Sequence, residues 1–356
     1  MKTTVKIQIK AVLLIGLLLF LIISQTACGQ KPLGDADSPQ VYKDPVRKEN
    51  YLLDTICQVQ IYALAATADQ KPDQILDGVF ALISDYEAML SKTKEGSDIY
   101  KINHAGGAPV SCHPETLDLI RRSIEFGDLS QGLFDVTMGR VTDLWDFQSD
   151  HPQTPGEEEL QEALRHVDYH QIQIEGDTVR LTDPMGELDL GGIAKGFIGD
   201  RAAAYLKDQG VTGAIVDLGG NISVVGYKDG VGEAFRVGIQ KPFSDRGEVL
   251  GAISCHDESI VTSGVYERYY KRDGKLYHHI LRVDTGMPAE TGLNAVTIEG
   301  KGLSGRDADA LATICILLGK EKALDLIESM DGFEAMAVDT DGRIDKTSGF
   351  QLESAS

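Results

Sequence analysis

Ten residues, Leu188–Phe197 (LDLGGIAKGF), restrict the fold more than any other stretch of the chain. An apolar/polar alternation runs into a Gly-Gly corner and leaves it as a helical pattern, which predicts a strand, a tight turn and a helix N-terminus. Backbone N–H groups and the positive end of a helix dipole can approach an anion at such a corner without side chains in the way, and Lys195 adds a mobile positive charge. A phosphate suits this arrangement. An ordinary strand-to-helix turn, with glycines for close packing, suits the same ten residues. The corner lacks GxxxxGK[ST] and has the wrong spacing for GxGxxG.

The N-terminus has the form of an address. Lys2, Lys6 and Lys10 precede an uncharged apolar run, Ala11–Ile23, and Ser24-Gln25-Thr26-Ala27 supplies small residues before Cys28. This is the pattern of a secretory signal peptide over residues 1–27, and the run is shorter than the roughly 20 residues a membrane-spanning helix needs. A cysteine after Thr-Ala and before Gly29 resembles a bacterial lipobox, with Gln25 in place of the usual aliphatic residue. That resemblance implies lipidation at Cys28 and a protein exported and anchored to the outer face of the cytoplasmic membrane. Loss of residues 1–27, with three lysines and no acid, takes the formal charge from −21 to −24. So acidic a body is repelled by anionic lipid and by nucleic acid, so attachment to a membrane has to come from acyl chains and no nucleic-acid partner is expected.

Residues 28–50 are polar, hold three prolines and show no apolar period, so they are expected to form a tether. Residues 51–350 have globular composition at a length that buries a large core. Helices are expected over 75–90, 114–127, 305–319 and 321–329. Strands are expected at 55–63, within 213–226, and at 235–240, 259–263, 266–272, 275–281, 294–299 and 334–339, with Asp273-Gly274 as a hairpin turn. The expected class is α/β (α+β), with mixed and antiparallel sheets packed by helices into a single catalytic unit. Asp-Leu-Gly-Gly occurs at 189–192 and again at 217–220, either as a structural echo or by chance in a chain with 38 glycines. Cys57, Cys112, Cys255 and Cys315 are isolated, and buried free thiols account for them more simply than disulfides. Trp145 is read as core filling.

Two constellations bear chemistry. Asp309 and Thr313 are four apart, so on a helix their oxygens share a face, and a carboxylate with a hydroxyl is a hard donor pair suited to Mg²⁺ on phosphate. Asp309 lies inside the helix, where Asp has no conformational advantage, whereas Ser304 and Asp307 have the spacing of a capping box. In Tyr277-His278-His279-Ile280 adjacent strand residues face opposite sides, so one histidine at most looks into a given site. It is either a general base or one of a solvent-facing pair, and no third ligand makes a zinc site.

Taken together, these residues resemble the FAD:protein FMN transferases, the ApbE family, over roughly residues 50–350. The resemblance rests on Ser91, Ser97 and Asn103, on Phe134-Asp135-Val136-Thr137, on Leu188–Gly196, on Val216–Asn221, on His278-His279-Ile280 with Thr285-Gly286, and on Asp309–Thr313. It implies an ApbE-like, T-fold-like architecture and Mg²⁺-dependent cleavage of FAD. FMN is then joined through its phosphate to a threonine or serine hydroxyl of a partner flavoprotein, and AMP leaves. By the same resemblance His279 is the base, Ala194 (through its carbonyl), Asp309 and Thr313 hold the metal, and Leu53, Thr93, Leu133, Phe134, Asp135, Asp189, Lys195 and Ile280 bind FAD. Arg282-Val283 replaces the family's usual Asp-Pro, and the acid moves to Asp284. Three other readings fit parts of the pattern: an FAD pyrophosphatase, a non-catalytic flavin-binding lipoprotein and a solute-binding lipoprotein.

Overall fold

A computed structural model describes residues 38–145, 147, 152–245 and 247–354. Cys28 and the apolar run before it lie outside the described residues. From Pro39 onward the chain forms one compact unit around an eight-stranded sheet. The strands in chain order are β1 (Gln40–Leu52), β2 (Thr55–Leu64), β3 (Val110–Ser111), β4 (Ile172–Glu175), β5 (Thr178–Leu181), β6 (Val211–Leu218), β7 (Asn221–Gly226), β8 (Phe235–Gln240), β9 (Val249–Cys255), β10 (Glu258–Gly264), β11 (Tyr269–Arg272), β12 (Lys275–His278), β13 (Leu293–Lys301), β14 (Phe333–Asp339) and β15 (Ile344–Lys346). The large sheet runs β1-β2-β6-β7-β10-β13-β14-β15, and every neighbouring pair is antiparallel. Three smaller sheets, β3-β5-β4, β8-β9 and β11-β12, are antiparallel as well.

Period-two patterning places the core. In β2, Cys57, Val59, Ile61 and Ala63 are fully buried while alternate residues are not, and across the ladder Cys57 faces Leu218, Val59 faces Val216 and Ile61 faces Ala214. One face of the large sheet is covered by helices Ala194–Asp208 and Gly305–Leu318. The β8–β9 ribbon supplies Phe235, Val237, Ile239 and Ile253 to a second cluster with Val224, Ile260 and Met336 of the large sheet. Layers of helix on sheet and ribbon on sheet bury both faces, as one apolar side per element demands.

Two expectations need correcting here. Residues 40–50, assigned to the tether, belong to β1, which pairs with β2 from Gln40↔Leu64 to Leu52↔Thr55. β1 is an edge strand whose residues are mostly exposed. Its charges and Pro45, which sits where the register shifts between Val41 and Val46, suit an edge and hide the strand period. The extended segment 188–190 is not a strand. It joins no ladder: the Asn103 amide accepts from Leu188 N–H at 2.7 Å and donates to the Leu188 carbonyl at 2.9 Å, and the Asp189 N–H donates to the Val136 carbonyl at 2.7 Å. Beyond the expected elements the chain also forms β3, β4, β5, β9 and β15 and helices Gly139–Leu144 and Glu157–Leu164, and the polar, hydroxyl-rich stretch 91–103, which reads as a loop, ends in helix Asp98–Asn103.

The repeated Asp-Leu-Gly-Gly does not make two similar corners. At 217–220 the glycines take φ of +67° and +95° in the tight hairpin between β6 and β7, a left-handed pair that favours glycine. At 191–192 neither glycine is left-handed, and the chain turns into a helix.

Candidate active site

The site is built where two helices start side by side. Helix Ala194–Asp208 follows the Gly-Gly corner, and helix Gly305–Leu318 crosses it at Gly196. A Cβ on Gly196 would lie 2.0 Å from the Gly305 carbonyl oxygen and 2.8 Å from Cβ of Asp309, so only glycine permits the contact. This contact brings Asp309 to the backbone of the first helix. Asp309 is 2% exposed, and its Oδ2 accepts the Gly196 N–H at 2.9 Å. Among the described residues its Oδ1 accepts no hydrogen bond, and the Lys195 ammonium lies 4.0 Å away. One turn on, the Thr313 hydroxyl makes two long contacts of 3.4 Å, to the Asp309 carbonyl and to the Ser263 hydroxyl. Gly192 opens space beside it: a Cβ there would meet Phe134 at 3.1 Å and Thr313 Oγ1 at 3.8 Å.

The start of the second helix is capped differently from expectation. Ser304 makes no side-chain cap, and its buried hydroxyl has no partner. Asp307 instead accepts from Arg122, at 3.0 and 2.7 Å, and from Arg306. Asp200, one turn into the first helix, does the capping by accepting the Gly305 and Arg306 N–H groups at 2.8 and 2.9 Å. Burial pushes its carboxyl up to about 6 despite those two donors. The two helices are thus tied through both Asp200 and Asp309, which fixes the carboxylate that matters.

Asp189 stands at the corner in a dense network. Its Oδ1 accepts the Gly191 N–H at 2.9 Å, and its Oδ2 accepts from the Thr142 hydroxyl at 2.8 Å and lies 3.1 Å from the Lys92 ammonium. Burial alone would raise this carboxyl, but Lys92, the Gly191 N–H and Thr142 outweigh it and hold the group below the usual carboxylate range. Lys92 also reaches Asp143 at 2.5 Å. Lys92, Thr142 and Asp143 are the residues that the sequence reading missed. Lys92 sits beside Thr93 in the connection 91–97 between two helices, but nothing in the spacing links it to residues 50 positions later.

The histidine pair divides as strand geometry requires. His278 is buried, donates from Nε2 to the Ala289 carbonyl at 3.0 Å and accepts the Ile280 N–H on Nδ1, so it holds the chain together as a neutral ring. His279 anchors its backbone N–H to the Arg268 carbonyl at 3.2 Å, and its Nδ1 is buried with no partner. Burial, then the positive charges of Arg268 and Lys195, push its imidazole down to about 3. In the ligand-free protein His279 is therefore a neutral ring.

The remaining expected residues fall into two groups. Leu53, at φ +54° in the β1–β2 turn, donates its N–H to Glu87 at 2.8 Å. Glu87 and Lys195 both act on the buried Cys57 thiol, whose burial pushes it up to about 12. Phe134 and Ile280 are buried, Leu133 packs against the core, and the Thr93 hydroxyl pairs with Ser91 at 3.1 Å. Asp135 is turned inward: its oxygens take the Thr137 N–H and hydroxyl and the Tyr169 N–H, so it staples a loop. At Arg282-Val283, where the sequence departs from the usual Asp-Pro, Arg282 pairs with Asp284 at 2.9 and 2.5 Å, and the Gly286 carbonyl accepts from the indole of Trp145 at 2.8 Å. All four cysteines among the described residues are buried free thiols.

A family model described as the ApbE family matches residues 53–337. The chain belongs to the ApbE family. Among relatives, it is 35% identical over 313 residues to an FAD:protein FMN transferase of Treponema pallidum, spanning 84% of this chain and 85% of that one. It is 32% identical to one of Klebsiella pneumoniae, over 73% of this chain and 80% of the relative. Its fold matches the ApbE protein of Thermotoga maritima with a TM-score of 0.77 at 30% identity, covering 86% of this chain and 97% of the other. The flavin transferase ApbE of Vibrio cholerae gives 0.76 at 26% identity, covering 86% and 98%. The ApbE match begins at Leu53, in the turn after β1, and ends at Ala337, within β14.

Proposed function

We propose that this chain is an FAD:protein FMN transferase, splitting FAD at its pyrophosphate and joining FMN through its phosphate to a threonine or serine of a partner flavoprotein. The relatives that carry this name cover most of the chain. The observation that carries the reading is Asp309, a buried carboxylate with one oxygen on Gly196 N–H and the other accepting no hydrogen bond among the described residues, with a lysine 4.0 Å away. A buried charge so placed calls for a cation. Asp309, the loosely bonded Thr313 hydroxyl and the second lone pair of the Ala194 carbonyl are hard oxygen donors, which fit Mg²⁺ and not zinc. Mg²⁺ bound there would neutralise charge that builds on the phosphate oxygens.

The other residues do the rest. Lys195 and the start of helix Ala194–Asp208 draw in the pyrophosphate. Leu53, Leu133, Phe134 and Ile280 offer apolar surface to the flavin ring, and the Lys92–Asp189–Thr142 network keeps the corner rigid. The acceptor hydroxyl oxygen bonds to the FMN phosphorus as its proton passes to the His279 imidazole. The bond from that phosphorus to the AMP phosphate breaks, and AMP leaves with the electron pair. Incubation of the protein with FAD, Mg²⁺ and an acceptor flavoprotein is expected to leave a flavin-fluorescent acceptor band after denaturing electrophoresis. Free FMN and AMP without such a band would make the chain a pyrophosphatase.

The lipobox-like Thr26-Ala27-Cys28 supports a lipid anchor at Cys28, with the protein held at the outer face of the membrane. At a formal charge of −24 the mature body has no electrostatic attraction to lipid. Cys28→Ala is therefore expected to move the protein to the soluble fraction with its flavin transfer intact. Retention in the membrane pellet would mean that the apolar run is an uncleaved anchor.

A further inference from the structure

In β11–β12 the pairs Tyr269↔His278 and Tyr270↔Tyr277 set the register, and one step further Arg268 stands opposite His279, joined by the 3.2 Å bond from His279 N–H to the Arg268 carbonyl. Opposite residues of an antiparallel pair share a face with Cβ atoms about 5 Å apart. Arg268 and His279 therefore project on the face marked by the stacked Tyr270–Tyr277 rings, 5.1 Å between centroids. The depression of the imidazole by Arg268 agrees with that placement.

Arg268 is half-buried, and among the described residues no carboxylate, carbonyl or hydroxyl accepts from its guanidinium. Among those residues, exposed Arg47, Arg121, Arg201 and Arg272 also stand without a carboxylate, but the other partly buried arginines find acceptors: Arg122, Arg140, Arg282 and Arg306 on carboxylates and Arg180 on Gln173. A half-buried guanidinium with no acceptor among the described residues can take an anion, and its planar fork suits two phosphate oxygens. Lys195, at the start of helix Ala194–Asp208, also acts on His279, whose Nδ1 has no partner among the described residues.

We propose that Arg268 binds a phosphate group of the FAD pyrophosphate, holding it beside His279 while Lys195 approaches from the corner. The inference rests on the transferase reading, and it adds a residue that binds the charged part of the substrate and spares the flavin. Ligand binding separates the two. In full-length protein, Arg268→Ala is expected to weaken FAD binding by about 10- to 100-fold, the loss of a charge-assisted hydrogen bond, while riboflavin, which has no phosphate, binds as before. Arg268→Lys should fall between, since it keeps the charge and loses the fork. Flavin fluorescence quenching reads both affinities, and thermal unfolding checks the fold. Unchanged FAD affinity in Arg268→Ala, or equal losses for FAD and riboflavin with a lowered melting temperature, would overturn the proposal. Wild-type protein that binds FAD no better than riboflavin would instead overturn the transferase reading, and the role of Arg268 with it.

Discussion

On the proposal that Asp309 helps to hold Mg²⁺, Asp309→Asn is expected to abolish flavin transfer in practice, with a loss of about 10³-fold or more at saturating FAD, because several kcal/mol of charge stabilisation would depend on this carboxylate. The amide is the informative replacement. Oδ2 of Asp309 holds the Gly196 N–H at 2.9 Å, and an asparagine oxygen can keep that bond while its charge is gone. Asp309→Ala would leave the buried Gly196 N–H without its acceptor, at a cost of about 1–3 kcal/mol of stability, so it cannot be expected to leave the fold untouched. Lysine at 4.0 Å is too far to neutralise the carboxylate alone, so wild-type protein should gain thermal stability from Mg²⁺ and the Asn variant should not. Wild-type transfer by Asp309→Asn at limiting Mg²⁺, or an equal thermal response to the ion, would remove the metal from this position. Thr313→Ala should be milder, because water can replace a neutral ligand.

What could be read from sequence here follows physical range. The helix bearing Asp309 and Thr313 was legible because its apolar period is local and the pair is four residues apart. So was the hairpin at Asp273-Gly274, with left-handed φ of +51° and +78°. The cap on that same helix was not legible, because its acceptor, Asp200, lies more than 100 residues away and the nearby Ser304-x-x-Asp307 imitates a capping box. The Lys92–Asp189 contact is hidden for the same reason: it joins positions 97 apart, and only the fold brings them within 3.1 Å. β1 escaped notice because an edge strand is exposed along most of its length and carries no alternation. The Gly-Gly corner was legible as a corner, whereas the strand expected before it turned out to be backbone held by the amide of Asn103.

His279 bears the second large effect. Removal of a general base slows a reaction by about 10²–10⁴-fold, so, with His279 proposed as the base for the incoming hydroxyl, His279→Ala is expected to lose transfer in that range while FAD binds nearly as before. His278→Ala is a control of a different kind: it breaks the bonds to Ala289 and Ile280, so it should lower the melting temperature and reduce transfer far less. The pH profile carries the sharper test. In the free protein burial and the charges of Arg268 and Lys195 hold the imidazole at about 3, so the protonated, inactive ring is populated only in strong acid, and kcat/KM should show no acid limb between pH 5 and 8. Bound pyrophosphate places negative charge beside those same cations. It offsets them, so the imidazole pKa rises in the complex and the acid limb of kcat should lie at higher pH than that of kcat/KM. Arg268→Ala removes one of the cations and should move the kcat/KM limb upward as well. If kcat/KM instead turned down near pH 6.5 in the wild type, the buried, cation-flanked environment of His279 would be wrong. If His279→Ala lost FAD affinity and rate equally, the ring would be a binding residue, and the proton would have to leave by another route.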